Sequence, residues 1–280
     1  MIFLQQPAPL VTPAPTDLCM VSRRDEILVN QDAPTRPVHE YATLPAFGDG
    51  ARRPLHLGLL DGRRCWACEP VSADDQPLPP GWSWAEVRAL MGTWEPAYFQ
   101  TVCCARQLLW WTAARRHCGR CGAPLEDSGQ ERARRCPSCG ELAFPSPAPA
   151  VIVAVVRDDR ILLAHNRNFR PGFYSVIAGF VDPGENLEQA TAREVREETG
   201  LEIADLRYVG SQPWPFPNSL MLGFTARYCS GEICVDGREI EAAAWFARDA
   251  LPAVPRPGTL SHRLIELWKN GGTAGSASAG

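Results

Sequence analysis

Long apolar runs are missing from this 280-residue chain: the longest, such as "VIVAVV" (151–156), have the length of a strand. They fall far short of the ~20 residues a membrane-spanning helix needs. A basic excess is missing too. Lys and Arg number 28 against 32 Asp and Glu, for a net charge of −4. That balance weighs against a protein whose main work is gripping nucleic acid and leaves room only for a small basic patch. The opening "MIFLQQPAP" has neither the basic start nor the apolar core of a secretion signal, and the chain carries no internal repeat. Cysteine, by contrast, is plentiful. Eleven thiols without an export signal fit a reducing compartment, so the cytoplasm is the expected location and thiols are expected as metal ligands or buried apolar groups. With 45% hydrophobic and 21% charged residues, the composition is that of a globular protein long enough for two or three domains.

Residues 1–16 are rich in proline and alanine, and "GGTAGSASAG" (271–280) has too little apolar content to pack, so both ends are expected to be loose. Short apolar patches from 17 to about 100 ("EILVN", "LHLGLL", "RRCWAC") predict a small sheet-containing domain with helices over about 84–91 and 97–115. Residues 118–139 then carry "CGRC" and "CPSC", and the proline-rich "FPSPAPA" (144–150) closes that segment. From 151, strands at "VIVAVVR", "ILLAH" and "FYSVIA" precede a helix over 187–199. Strands at "LRYVGS", "LMLGFTARYC", "ICV" and "AAAWFA" precede a last helix at about 259–269. This order predicts an α/β domain with a mixed sheet covered on both faces.

Cys118-x2-Cys121 and Cys136-x2-Cys139 stand 14 residues apart. Each pair can turn two thiolates toward one tetrahedral ion, and four sulfurs leave no open position for water, so one structural Zn²⁺ per chain is expected. Gly119 and Pro137 suit the tight backbone of such turns. Arg132, Arg134 and Arg135 between the pairs read either as a nucleic-acid patch or as a solvated face. Cys65-x2-Cys68 has no second pair after it and reads, with Cys19, Cys103, Cys104, Cys229 and Cys234, as structural or incidental.

The densest chemistry lies in "AGFVDPGENLEQATAREVREETGL" (178–201). On a helix opened by Pro183-Gly184 and ended by Gly200, residues 194, 197 and 198 project from one side. Three glutamates there repel one another by a few tenths of a kcal/mol each (~0.2–0.5). A cation that neutralises them is the simplest reason to keep them, and hard carboxylate oxygens select Mg²⁺ or Mn²⁺.

Gly179, five residues, Glu185, seven residues, then "REVREETGL" resembles the Nudix box without a mismatch. Membership of the Nudix hydrolases implies a mixed sheet sandwiched between helices. It also implies hydrolysis of a nucleoside diphosphate derivative by metal-activated water. The resemblance assigns metal ligation to Glu194 and Glu198, with Glu197 beside them and the Ala178 carbonyl as a further ligand. Glu197 and Glu198 are the catalytic candidates, and Arg193 and Glu185 brace the loop. Glu239 aligns with a late metal-binding glutamate; Glu241, two residues on, is its rival.

After the box, "SQPWPFPNS" (211–219) presents Trp214 and Phe216 between alternate prolines. It resembles the fingerprint of the NADH pyrophosphatase branch. That branch implies an N-terminal Nudix-like α+β domain (17–115), a zinc ribbon (116–144) and a Nudix domain (145–270), between a flexible start (1–16) and a disordered tail (271–280). It also implies cleavage of NAD(H) to NMN(H) and AMP, removal of NAD caps from RNA, and a homodimer; membrane and DNA partners are not expected. The implied substrate contacts are Phe144, Phe180, Gln212, Pro213, Trp214, Pro215, Phe216, Pro217, Asn218, Ser219 and Ser261, with Arg88 reaching from the N-terminal domain. His117, His165 and His262 read as structural. The box fixes reaction type and not leaving group, so ADP-ribose or dinucleoside polyphosphates stand as alternative substrates, and a zinc-ribbon RNA-binding regulator as an alternative role.

Overall fold

The computed structural model describes residues 1–5, 12–45, 54–70, 77–129, 131–235 and 237–271. The expectations for 6–11 and 272–280 therefore lie outside the described residues. The chain divides into two compact units, one of Met1–Pro147 with Trp214–Asn218, the other of Ala148–Pro213 with Ser219–Gly280.

The first unit contains β1 (Phe3–Gln5), β2 (Leu18–Arg23), β3 (Glu26–Asn30), β4 (His39–Glu40), β5 (Leu55–Leu60), β6 (Arg63–Cys68), β7 (Trp82–Glu86), α1 (Val87–Leu90) and α2 (Pro96–Ala114). The short strands β8 (Glu126–Asp127), β9 (Arg134–Arg135) and β10 (Leu142–Ala143) follow. The large sheet runs β1-β5-β6-β2-β3-β7, with β4 beside β2. Alternation along β2 divides its side chains between two cores: Leu18 and Met20 join the cluster under α2, while Cys19 and Val21 pack with Leu28, Trp66 and Cys68 on the other face. Residues 3–5, expected to be loose, add an edge strand, because Phe3 buries its ring and pairs with Leu60. The expected helix over 84–91 shrinks to α1. Trp82 and Trp84 face Asn30 and Leu28 across β3, and aromatic residues on a half-buried sheet favour strand over helix.

His39 sits at the edge of the second core, 7% exposed, edge-on to Trp82 at 4.7 Å, with Nε2 3.4 Å from the Leu28 carbonyl. Burial, with Arg36 nearby, lowers its pKa from 6.5 to about 4. The sign follows. Between pH 6.5 and about 4 the unfolded chain binds a proton that the folded unit refuses, so stability falls with pH across that window. The loss is of order 3 kcal/mol, since each pKa unit corresponds to ~1.4 kcal/mol. Urea denaturation followed by tryptophan fluorescence at pH 7 and 5 should show about 2 kcal/mol of it, the part crossed by pH 5, and His39→Gln should flatten the difference.

The second unit comprises β11 (Ala148–Arg157), β12 (Arg160–Asn166), β13 (Ile177–Phe180), α3 (Leu187–Thr199), β14 (Glu202–Trp214), β15 (Ser219–Ser230), β16 (Ile240–Phe246) and α4 (Leu260–Lys269). The sheet order is β14-β15-β11-β12-β16, with β13 on β11; β11 and β15 run parallel and β12 runs antiparallel to both its neighbours. The apolar run of β11 serves two layers. Val151, Val153 and Val155 face the core under α3, and Ile152 and Ala154 face the core under α4, which explains a strand that is hydrophobic at every position. The expected mixed sheet between helices is the observed fold. "ICV" (233–235) forms no strand; the Cys234 amide instead donates to the Thr199 carbonyl at the end of α3.

Candidate active site

The box folds as a strand, a braced loop and a helix. Asn186 caps α3: its side chain accepts from the Gln189 amide at 2.8 Å, and Gln189 returns the bond to the Asn186 amide at 3.0 Å. Gly200, left-handed at φ 73°, ends the helix. Arg193 ties the preceding loop to this helix. Its guanidinium donates to both oxygens of Glu185 (2.7 and 2.9 Å), to Glu194 (2.8 Å), to Glu197 (3.0 Å) and to the Phe180 carbonyl (2.9 Å). Glu185 also accepts from the Asp182 amide. These bonds, to Glu185 above all, hold Arg193 charged, and Arg193 in turn keeps the Glu185 carboxyl below its usual range.

Glu194, Glu197, Glu198 and Glu239 line one cleft of ≈ 600 Å³ together with Arg238. Glu198 is 8% exposed. Burial pushes the Glu194 carboxyl up, as do the charges of Glu197 and Glu239, while Arg193 opposes them. Gly179, on β13, lies against the Glu194 carboxylate, so closely that a Cβ there would sit 2.0–2.3 Å from its atoms. Ala178 precedes it, paired with Ile152. Among the described residues only the four cysteines bring their ligand atoms within 4.8 Å of one another. The carboxylate oxygens of the cleft are spread more widely, so a hard cation there would be reached in part through the waters it keeps. Glu241 is elsewhere: its Oε2 is 3.9 Å from His165 Nε2, past a bulge at His165/Asn166.

Other candidates divide between the units. In the second, Phe180 is exposed, Ser261 lies 3.1 Å from Thr259 at the start of α4, and Gln212 clamps that start, donating to the Gly258 carbonyl and accepting from the Leu260 amide. Pro213 precedes the residues that group with the first unit, and Ser219 begins β15, buried. In the first unit, Arg88 stacks on Phe216 (3.9 Å) and Trp214 (5.5 Å), Arg106 donates to the Pro215 carbonyl, and Asn218 donates to the Ser146 carbonyl. Pro217 joins Pro215 and Phe216 around a pocket of ≈ 450 Å³ with Arg88 and Arg106. Phe144 is exposed. His165 and His262 each hold a backbone carbonyl through Nδ1, of Phe173 and Pro255. Sequence reasoning missed Gln212's clamp and Arg238, for which position beside Glu239 was the available signal.

The four cysteine sulfurs converge, Cys118 to Cys139 at 3.7 Å and Cys121 to Cys136 at 3.5 Å. A tetrahedral ion with ~2.3 Å bonds to sulfur needs edges of about 3.8 Å. The left-handed turns fall at Gly122 and Gly140, whose amides bond back to the Cys118 and Cys136 carbonyls. Arg132 and Arg134 are used within the unit: Arg132 donates to the Leu57 carbonyl at 2.7 Å, and Arg134 to the Arg115 carbonyl at 2.8 Å and that of Thr112 at 3.3 Å, capping α2. Burial pushes Cys65 up to about 12 and Cys104 to about 11, which keeps those thiols inert. Cys136→Ser should lower bound zinc below one equivalent and release the ribbon to proteolysis. Metal analysis of the purified protein checks it.

A family model described as the NUDIX domain matches residues 146–267. An NADH pyrophosphatase-like rudimentary NUDIX domain matches 16–111, and an NADH pyrophosphatase zinc ribbon domain matches 114–144. The ribbon match and the four converging thiols make this a structural zinc site. The NAD-capped RNA hydrolase NudC of Pseudomonas aeruginosa is 46% identical over 220 residues, covering 78% of this chain and 79% of that protein. Its namesake from Stutzerimonas stutzeri is 45% identical over 215 residues, 76% of each. A NUDIX hydrolase structure from Nitrosomonas europaea aligns at TM-score 0.47 with 19% identity, over 56% of this chain and 94% of that one.

Proposed function

The chain belongs to the Nudix hydrolase family, in its NADH pyrophosphatase branch, and from that premise we propose that it splits the pyrophosphate of NAD(H) to NMN(H) and AMP, and of NAD-capped RNA to NMN and 5′-monophosphate RNA. Water adds across one P–O–P bridge in either case. The observation that carries this reading is the single cleft walled by Glu194, Glu197, Glu198 and Glu239 beside the box loop. We assign Mg²⁺ or Mn²⁺ to that cleft, with Glu194, Glu198 and Glu239 as its chief holders and the Ala178 carbonyl as a further ligand. A bound dication supplies neutralising charge on the phosphate oxygens and a more acidic water.

The protein's own part is positional. Arg193 holds Glu194 and Glu197 at the cleft wall and ties the box loop to the helix, and we assign to Glu197, exposed on that wall, the removal of a proton from water. The exposed ring of Phe180 is assigned to a base of the nucleotide, and the branch supports Trp214 and Phe216 as further substrate contacts. The branch also supports the division 17–115, 116–144 and 145–270, a homodimer and a cytoplasmic location; light scattering at twice 30.8 kDa tests the dimer.

The decisive assay runs NADH, NAD⁺ and ADP-ribose in parallel with Mg²⁺ and with Mn²⁺. We expect the reduced dinucleotide to be preferred, with NMNH and AMP as products. Equal or better turnover of ADP-ribose would overturn the substrate assignment and leave the reaction type standing.

A further inference from the structure

We propose that the arm between β12 and β13, residues 166–173 ("NRNFRPGF"), binds the single-stranded RNA that follows the cap, and so sets the preference for capped RNA over free dinucleotide. This rests on the function proposed above. The arm is built before any ligand arrives. At its base Ala164 and Ser175 exchange backbone bonds of 2.8 and 2.9 Å, and His165 Nδ1 lies 2.7 Å from the Phe173 carbonyl. Asn166 turns the chain, accepting from the Asn168 amide through its side chain and from the Phe169 amide through its carbonyl. Pro171 and Gly172, the latter at φ 74°, complete the return.

What this frame presents is cationic and aromatic. Arg167, Phe169 and Arg170 are all exposed; Phe169 and Phe173 meet in a T at 5.1 Å, Phe169 is 36% exposed, and Arg170 lies 5.6 Å over Phe173. A flat ring for a base with guanidinium groups for phosphates is the combination by which proteins hold single strands without reading sequence. The arm is also fixed to the catalytic wall. The Arg167 amide donates to the Glu239 carbonyl at 2.9 Å and its guanidinium reaches the Gly237 carbonyl at 3.3 Å, while Arg238 and Glu239 line the acidic cleft. A chain leaving the 5′ phosphate in that cleft finds Arg238 and then the arm. Free NADH ends before it.

The test compares kcat/KM on NADH and on a short NAD-capped RNA for the full-length protein and for Phe169→Ala, Arg170→Ala and a control, Arg207→Ala, an exposed arginine of β14. Phe169→Ala should lower the capped-RNA value about 5-fold or more, the effect of losing one stacked base, with NADH unchanged. Arg170→Ala should make the salt dependence on capped RNA shallower by about 0.7 in log–log slope, one phosphate contact, and the control should change neither substrate. The proposal is overturned if the arm variants leave capped RNA untouched, if they slow NADH equally, or if the control matches them. Failure of the unaltered protein to hydrolyse either substrate would instead strike the function on which the proposal rests.

Discussion

Glu198→Gln should leave a folded protein that turns over NADH on the order of 10²–10³-fold more slowly, or worse, the scale on which removing one group that stabilises transition-state charge is felt. The side chain keeps its size and loses only its charge. Glu198 is 8% exposed on α3, beside Glu194, whose carboxyl is already pushed up by burial and by its acidic neighbours. Removing one negative charge from such a group lowers repulsion inside the folded state, so thermal stability should hold or rise slightly. Activity and stability are thereby expected to move in opposite directions. Mn²⁺ titration by paramagnetic resonance gives a readout independent of turnover and should show weakened binding. Undiminished hydrolysis in this variant would remove Glu198 from the reaction altogether.

The acidic cluster was legible because α-helical spacing converts a string of letters into a direction: 194, 197 and 198 share a side whatever lies around them. The same local logic carried the two Cys-x2-Cys turns and the strand-length runs. It also offered signals that went unused. Asn186 followed three residues later by Gln189 spells a capping box, and each cysteine knuckle is followed by a glycine, Gly122 and Gly140, which take the left-handed backbone rather than Gly119 or Pro137.

What stayed hidden was non-local. Nothing near Trp82 and Trp84 announces that β3 waits to pair with them. Glu239 and Glu241, only two residues apart, part company because β16 begins at Ile240 with a register shift opposite His165/Asn166: Glu239 lines the acidic cleft and Glu241 lies beside His165. Arg106 reaches Pro215 across 109 positions, and that kind of contact groups residues 214–218 with the first unit while the strands on either side belong to the second. Arg132 and Arg134 looked like either a nucleic-acid patch or a solvated face, and bond instead to carbonyls of their own unit.

Gly179→Ala separates placement of a carboxylate from its presence. The glycine has an ordinary backbone on β13, so alanine itself is admissible there; what it meets is the Glu194 carboxylate, with Cδ at 2.0 Å and the two oxygens at 2.1 and 2.3 Å from the new methyl. These atoms are the end of a flexible side chain, and they can swing away at little cost in stability. In doing so Glu194 leaves the position in which Arg193 holds it at 2.8 Å. A displacement of that order is expected to cost about 10²-fold in rate, as a ~1 Å misplacement of a reacting constellation does. The melting temperature should change little. Because every carboxylate is still present, a loss of turnover with weakened Mn²⁺ binding and an unchanged melting curve would show that the box glycine serves to seat Glu194. Full activity in Gly179→Ala would mean that Glu194 tolerates another position and is not held for the reaction.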